Sequence, residues 1–371
     1  MAKRASSRDE SSEKGGPRRE TLDPTGSNTT SDTEAWFQRA KKHLDGEGLP
    51  QSDAQALEWG CRAAEQGHAG AQNLLGLMYD SGQGVPQSDA KAHEWFLKAA
   101  GQGLAGAQFN LGVMCDMGQG IPKDCAKAAE WYRLAAEQGH AQAQFNLGLG
   151  YDTGQGVEQN DAEAAKWYRV AAGQGVAAAQ CNLGWMCESG RGVPEDSAEA
   201  AKWYRLAAEQ GHAQAQFNLG ALHAHRDTDA KGQAEAAKWY LYAADQGHAR
   251  ARFSLGAMYA EGRGVKKNQV RAAEWYRLAA EQGHAQAQFN LGVAYHKGQG
   301  VQKDYAEAAK WFREAAEQGH PQAQFSLGAM FAEGRGVEKN PAKATQWYRK
   351  AAEQGDADAI KKLEEMAEGG D

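Results

Sequence analysis

The 371-residue sequence lacks the features of several protein classes. No apolar run approaches the roughly 20 residues that a membrane-spanning helix needs, and no apolar stretch follows the first basic residues, as in a secretory signal peptide. We therefore expect a cytoplasmic protein without a membrane span. Lys and Arg total 41 against 48 Asp and Glu, which gives a net charge of −7. Nucleic-acid-binding domains usually carry a basic surplus, so we expect no nucleic-acid partner.

Cysteine is scarce, and motifs for catalysis are missing. The five cysteines are odd in number and follow no spacing shared between repeats, which argues against a disulfide framework. No metalloprotease, nucleophile-elbow or Cys-x-x-Cys motif occurs. The segment from Ser88 to Lys91 matches the Ser-x-x-Lys motif of penicillin-recognising enzymes, but the companion motifs are missing. These absences predict a protein that is not an enzyme and holds neither a cofactor nor a metal.

What the sequence does contain is a strict repeat. Tryptophan recurs every 36 residues, at Trp59, Trp95, Trp131, Trp167, Trp203, Trp239, Trp275, Trp311 and Trp347. The glycine of a Gln-Gly step keeps the same interval from Gly67 to Gly355. Periods of this size are typical of solenoids, propellers and related arrays. The register predicts nine units that start near residues 35, 71, 107, 143, 179, 215, 251, 287 and 323.

Each unit reads as two helices separated by a glycine turn. In the fourth unit, apolar residues share one helical face over 143–151, and a second apolar face covers 164–172. The turn Gly154–Val157 breaks the first helix, because glycine readily adopts the left-handed conformation. Asn160 or Asp161 is the predicted N-cap of the second helix. Two short helices cannot bury such faces alone, so we predict an all-α fold in which neighbouring units stack.

The two ends and the sixth unit depart from the pattern. Residues 1–32 are polar and of balanced charge, which predicts a disordered tail ahead of a repeat region at 33–371. We expect the first unit and a final helix at 359–368 to be caps. Residues 220–229 lose the glycine turn and predict a polar loop, either a bend or a specialised contact. A weak metal site at its His and Asp residues is the less favoured interpretation.

The residues of each unit resemble a known family. Leu147-Gly148-x-x-Tyr151 and Ala164-x-x-x-Tyr168 match parts of the tetratricopeptide pattern, whose period is 34. The longer period and the Gly-x-Gly-Val turn resemble its relative, the Sel-one-like repeat (SLR) family, over residues 35–371. This resemblance implies a right-handed α/α solenoid of nine 36-residue helix-turn-helix repeats with capping helices. It also implies an adaptor or scaffold without catalytic residues.

The candidate binding residues are those that vary between units. With Leu147 at the centre of the buried face, a rotation of 100° per residue places Asn146, Leu149 and Thr153 on the far side of the first helix. A row of asparagines there either hydrogen-bonds an extended peptide or merely solvates the groove. Trp185 breaks the tryptophan period, and aromatic residues are favoured anchors at interfaces. The predicted partner-binding residues are Asn146, Leu149, Asn182, Trp185, Asn218, His225, Ser254 and Asn290.

The sequence thus predicts a scaffold that binds a protein or peptide along a concave groove, and a monomer rather than an obligate oligomer. One alternative is a β-lactamase-like hydrolase, because a cysteine-rich branch of the family is linked to β-lactam binding. This chain lacks that branch's paired cysteines and its export signal. A second alternative is a translocated bacterial effector with the same binding role.

Overall fold

The structure, a computed structural model, describes residues 30–226 and 229–368. These residues contain nineteen α-helices and no strand, and they divide into two compact units between Asp124 and Cys125. The first unit contains α1 (Thr30–Asp45), α2 (Asp53–Glu65), α3 (Ala69–Ser81), α4 (Asp89–Gly101) and α5 (Ala105–Met117). The second contains α6 (Cys125–Glu137), α7 (Ala141–Thr153), α8 (Asp161–Gly173), α9 (Ala177–Ser189), α10 (Ser197–Glu209), α11 (Ala213–Arg226), α12 (Ala230–Asp245), α13 (Ala249–Glu261), α14 (Gln269–Ala280), α15 (Ala285–Lys297), α16 (Tyr305–Glu317), α17 (Pro321–Glu333), α18 (Pro341–Glu353) and α19 (Ala357–Glu368).

Each repeat consists of an odd-numbered A helix and the even-numbered B helix that follows it. In the fourth repeat, the Nδ1 atom of His140 caps α7 by accepting the N–H of Ala143 at 3.2 Å. Gly154 ends α7 in the left-handed region, with φ at 74°. Asn160 caps α8, where its side chain accepts the N–H of Glu163 at 3.1 Å. The predicted helix, glycine turn and helix are therefore confirmed, and Asn160 rather than Asp161 is the N-cap.

Glycine and alanine bring the two helices of a repeat close together. Gly148 of α7 lies against the ring of Tyr168 in α8, and a Cβ at Gly148 would lie 2.8 Å from the ring Cδ1. Tyr168 is fully buried. The predicted apolar face of the B helix is confirmed, because Ala164, Ala165, Tyr168, Ala171 and Ala172 are all buried. The small residues thus set the helix spacing, and the aromatic ring fills the remaining space.

In several repeats a buried glutamine of the A helix joins the repeat to the preceding one, whereas the seventh repeat has Arg252 at this position. The amide of Gln144 in α7 donates to the carbonyl of Ala136, at the end of the preceding B helix, over 3.0 Å. Its Oε1 accepts the amide of Gln174, just after α8, at 2.6 Å. The same pair of bonds recurs at Gln180, Gln216, Gln288 and Gln324. One side chain therefore satisfies polar groups at two helix ends that would otherwise be buried without partners.

The glycine turn also packs on the preceding repeat. Gly156 has φ at 78°, and a Cβ there would lie 2.0 Å from the carbonyl oxygen of Cys125, in the first turn of α6. No other residue fits this approach without a shift of the backbone. Within each of the two compact units, consecutive helices therefore pack on one another as in an α-solenoid. Within the described ranges, no helix has the length and apolar character needed to cross a membrane.

Several predicted boundaries differ from the observed ones. The predicted polar loop at 220–229 is wrong for residues 220–226, which continue α11. Arg226 stands where other A helices end at a glycine, so nothing stops the helix at that position. The predicted final helix begins at Ala357 rather than 359. Helix α1 begins at Thr30, within the predicted tail, while residues 1–29 lie outside the described ranges.

Candidate functional site

The predicted binding residues lie on the outward surface of the A helices of residues 125–371. We call this surface the A-face. It consists of the predicted residues Asn146, Leu149, Asn182, Trp185, Asn218, His225, Ser254 and Asn290, together with Val293 and Ala329 at the equivalents of Trp185. Leu149 and Trp185 are 40% and 42% exposed, and His225 is exposed in the last turn of α11. These three side chains are thus open to a partner.

The polar row of the A-face is half-buried and already hydrogen-bonded. Asn182 contacts the hydroxyl of Tyr168, which belongs to the B helix of the preceding repeat. Asn218, Ser254 and Asn290 contact Tyr204, Tyr240 and Tyr276 in the same way. Asn146 accepts the amide of Gln142 at 3.4 Å. All of these residues except Asn146 therefore connect adjacent repeats, which sequence reasoning missed. Its part in peptide binding stays a prediction.

Trp185 is held by a charged cluster that links the fourth and fifth repeats. The guanidinium of Arg191 lies 5.2 Å from the centre of the Trp185 ring, within the range of a cation–π interaction. The same guanidinium contacts the carboxylate of Asp152 at 2.8 Å and that of Asp161 at 2.7 Å. Asp152 also accepts the hydroxyl of Tyr168 at 3.2 Å. The exposed indole thus stacks on a side chain that is itself fixed at several points.

The electrostatics of this cluster favour its charged form. The hydrogen bond from Arg191 holds the pKa of Asp161 below its usual range. The same bond to Asp161 raises the pKa of Arg191 further. Burial, in contrast, raises the pKa of the Tyr168 hydroxyl, which therefore stays protonated. The ion pair of Arg191 and Asp161 therefore stays charged at neutral pH, and it fixes the guanidinium next to the indole.

A cavity opens on the A-face three repeats further along. It has a volume of 370 Å³ between α15, α16 and α17. Its walls are Val293, His296, Lys297, Phe312, Phe325, Ser326, Ala329, Met330, Glu333 and Arg335. Val293 and Ala329, two of its walls, stand at the equivalents of Trp185 and have smaller side chains. Sequence reasoning did not identify the cavity, because other repeats have equally small residues at this position, such as Ala221 and Ala257.

The histidines that precede the A helices and the Ser-x-x-Lys match both have structural roles. The Nδ1 atoms of His248, His284 and His320 accept the N–H three residues ahead, as His140 does, so these histidines are helix caps. Burial lowers the pKa of each of these histidines, which keeps the cap unprotonated at neutral pH. Ser88, of the Ser-x-x-Lys match, is the N-cap of α4 and accepts the N–H of Lys91 at 3.4 Å.

The two histidines considered for a metal site lie on a helix and not in a loop. His223 and His225 both lie on α11, while Asp227 lies outside the described residues. Among the residues that the structure describes, no group of three potential ligands is placed to hold a metal ion. All five cysteines are present as thiols.

Comparison with known families gives the repeat a name. The profile of the Sel1 repeat matches nine segments, at residues 43–68, 69–104, 105–140, 141–176, 177–212, 213–248, 249–284, 285–320 and 321–356. The chain belongs to the Sel1 repeat family. Eight of the matches begin at the first residue of an A helix. The first match omits most of α1, where the sequence diverges from the other repeats. Sel1 repeats generally mediate protein–protein interactions and are typically non-enzymatic.

Solved structures of Sel1 repeat proteins resemble this chain. A protective antigen of uropathogenic Escherichia coli with an SLR fold is 35% identical over 91% of this chain and 80% of its own length, with a TM-score of 0.64. A Sel1 repeat protein from Oxalobacter formigenes is 30% identical over 91% and 87% of the two chains, with a TM-score of 0.43. Helicobacter pylori cysteine rich protein B is 25% identical over 36% and 96%, with a TM-score of 0.30. A comparison with curated protein sequences gave no significant match.

Proposed function

We propose that this Sel1 repeat protein is a non-enzymatic scaffold whose A-face binds an extended segment of a protein partner, with Trp185 as the anchor. The observation that carries the proposal is an exposed indole with a fixed orientation. An apolar ring that is 42% exposed gains free energy when a partner covers it. The Arg191 side chain next to the indole is already fixed by ion pairs with Asp152 and Asp161. Little side-chain entropy is therefore lost when a partner binds.

The A-face also offers a second contact for the same partner. The cavity at α15–α17 is lined by the aromatic residues Phe312 and Phe325 and by charged residues that include Lys297 and Arg335, and a combination of aromatic walls and a few polar groups is typical of binding pockets. An extended segment that covers Trp185 and continues along the A helices reaches this cavity. The cytoplasm fits this role, because the five thiols suit a reducing compartment.

The test is an affinity capture with two baits, the parent protein and the Trp185→Ala variant, followed by mass spectrometry. A partner of the A-face is recovered by the parent and depleted with the variant. We expect its affinity to fall by about 2 kcal/mol, the usual cost of losing an anchor residue. The melting temperature should stay close to that of the parent, since surface substitutions rarely change stability by more than about 0.5 kcal/mol.

The matched control is Leu206→Ala. Leu206 is 45% exposed, similar to Trp185, but lies on the B helix α10. This variant should retain the partner and the stability of the parent. If Trp185→Ala lowered the melting temperature and left the partner's affinity intact, Trp185 would be a packing residue and the proposed site would be wrong.

A further inference from the structure

The turn between α13 and α14 in the seventh repeat opens into a second kind of cavity. Its volume is 480 Å³, and its walls are Tyr259, Val265, Lys266, Lys267, Asn268 and Arg271. Three of these six residues carry a positive charge, and none carries a negative one. The cavity is thus basic, in a chain whose net charge is −7.

The cations of this cavity are exposed and lack counter-charges. Lys266, Lys267 and Arg271 are all exposed, and the segment 262–273 contains no carboxylate. Nearby Arg263 is neutralised by an ion pair with Glu261. Lys266, Lys267 and Arg271 form no ion pair with a carboxylate of the described residues 229–368. Their charges are therefore available to a ligand.

Arg271 is positioned by a contact that other repeats make differently. In the fourth and eighth repeats, the A-helix tyrosine accepts a hydrogen bond from an arginine of the preceding B helix, as in Arg277 to Tyr295 at 2.9 Å. The equivalent residue before the seventh repeat is Leu241. Tyr259 instead accepts a bond from Arg271, at 3.0 Å. This bond uses one guanidinium nitrogen and holds the side chain at the cavity.

The same turn is acidic in another repeat of the chain. Glu158, Gln159 and Glu163 of the fourth repeat stand where the seventh has Lys266, Lys267 and Arg271. Glu163 pairs with Lys166 on its own helix, at 3.1 Å. Because the helix-turn-helix frame is shared, stacking does not require the positive charges of the seventh repeat. The third and ninth repeats have positive charges at two of these positions, but only the seventh has them at all three. This combination points to a ligand there.

We infer that this cavity binds a carboxylate-rich segment of a protein partner. Ammonium and guanidinium groups form charge-assisted hydrogen bonds with carboxylates. The Tyr259 ring and Val265 add apolar surface for the aliphatic parts of the bound side chains. The N-terminus of α14 is not the binding group, because Asn268 already accepts the N–H of Arg271 at 3.1 Å. A long polyanion would extend beyond these few cations, and the negative net charge of the rest of the chain would repel it. The inference does not depend on Trp185, which lies two repeats away.

The test uses fluorescein-labelled hexaglutamate and the full-length protein, with binding followed by fluorescence anisotropy at low salt. The swapped variant Lys266→Glu/Lys267→Gln/Arg271→Glu places the residues of the fourth repeat in the seventh. We expect it to bind the peptide about tenfold or more weakly, because several ion pairs are lost and repulsion is added. Added salt should weaken binding to the parent protein.

The matched control changes the net charge equally at B-helix positions of the fourth, fifth and sixth repeats, as Lys166→Glu/Lys202→Glu/Lys238→Gln. This control should bind hexaglutamate as the parent does. Circular dichroism checks that each variant is folded. The single change Lys266→Gln, which introduces the residue found at this position in the eighth repeat, should cause a smaller loss of affinity for hexaglutamate. The inference is overturned if the parent does not bind hexaglutamate, or if the swapped variant and the control lose affinity equally. It is also overturned if oligothymidylate or phosphatidylserine vesicles bind these three residues in preference to the peptide.

Discussion

The fourth and fifth repeats share a helical frame with the eighth and ninth repeats but present a different surface. In both regions a glycine of the A helix lies against an aromatic ring of a B helix, as Gly148 does on Tyr168 and Gly292 on Phe312. On the A-face, however, Trp185 projects from α9, whereas Val293 and Ala329 leave a 370 Å³ cavity at α15–α17. Different side-chain sizes at equivalent positions thus accompany a projecting aromatic residue in one region and a cavity in the other.

This difference shows how a repeat protein gains specificity without altering its fold. The glycine turns, the buried glutamines and the B-helix alanines define the packing, and they recur in register along the chain. Because each repeat contacts only its neighbours, an exposed position varies in one repeat without disturbing the others. The variable positions therefore carry information about partners, while the constant ones carry stability.

The prediction with the largest expected effect tests whether the two regions are packed equally tightly. Tyr168→Ala and Phe312→Ala should each lower the free energy of unfolding by about 3–5 kcal/mol, because each removes a buried ring and leaves a cavity. Urea unfolding followed by circular dichroism measures both changes. Tyr168→Phe is the control, and its loss of the hydroxyl bond to Asp152 should cost only about 1 kcal/mol. A change below about 1 kcal/mol for Phe312→Ala would mean that the cavity region is loosely packed.

A second prediction converts the pocket into a projecting surface. Ala329→Trp should fill the cavity and reduce the binding of 8-anilinonaphthalene-1-sulfonate, an apolar anion suited to its aromatic base and to the nearby Lys297 and Arg335. The free energy of unfolding should fall by no more than about 1–3 kcal/mol, because Ala329 is half-buried against the core and the larger ring must fit within the cavity. Dye fluorescence measures the first effect. Trp185→Ala is the control and should leave the dye signal unchanged; an equal loss would show that the dye binds elsewhere.

The smallest expected effect concerns acid sensitivity. Helices α15 and α17 are capped by His284 and His320, whereas α9 follows Val176, which makes no side-chain cap. Burial lowers the pKa of both histidines, so the unfolded chain takes up protons that the folded caps do not. Their stabilising contribution is complete above the unfolded pKa of about 6.5 and is lost as the pH falls below it.

Thermal melts at pH 7.5 and 5.5 test this prediction with paired variants. His320→Val should reduce the fall in melting temperature between the two pH values, and Val176→His should increase it. Each effect should be about 1 kcal/mol or less, the usual worth of an N-cap. If both variants kept the acid dependence of the parent, titration of other groups would control it.

Much of the fold was predictable from sequence because its signals are local. Glycine at a fixed interval predicts the helix ends, and the one-turn spacing of small and aromatic residues predicts the buried face of α8. The error at residues 220–226 has the same cause. Polar residues suggested a loop, but without a glycine at position 226 the helix continues. The candidate site was less predictable, since exposure follows from the helical period whereas contacts between repeats do not.

The sequence by itself determined the nine-fold register, the all-α class and the outward position of Trp185, because each depends on spacing along a single helix or turn. Only the tertiary structure decided that Asn182 contacts Tyr168 and that Arg191 joins Asp152 to Asp161. It also decided that three helices enclose the cavity at Ala329. These contacts join residues of different helices, so they depend on the angle and distance at which the repeats stack, which the pattern of a single repeat does not specify.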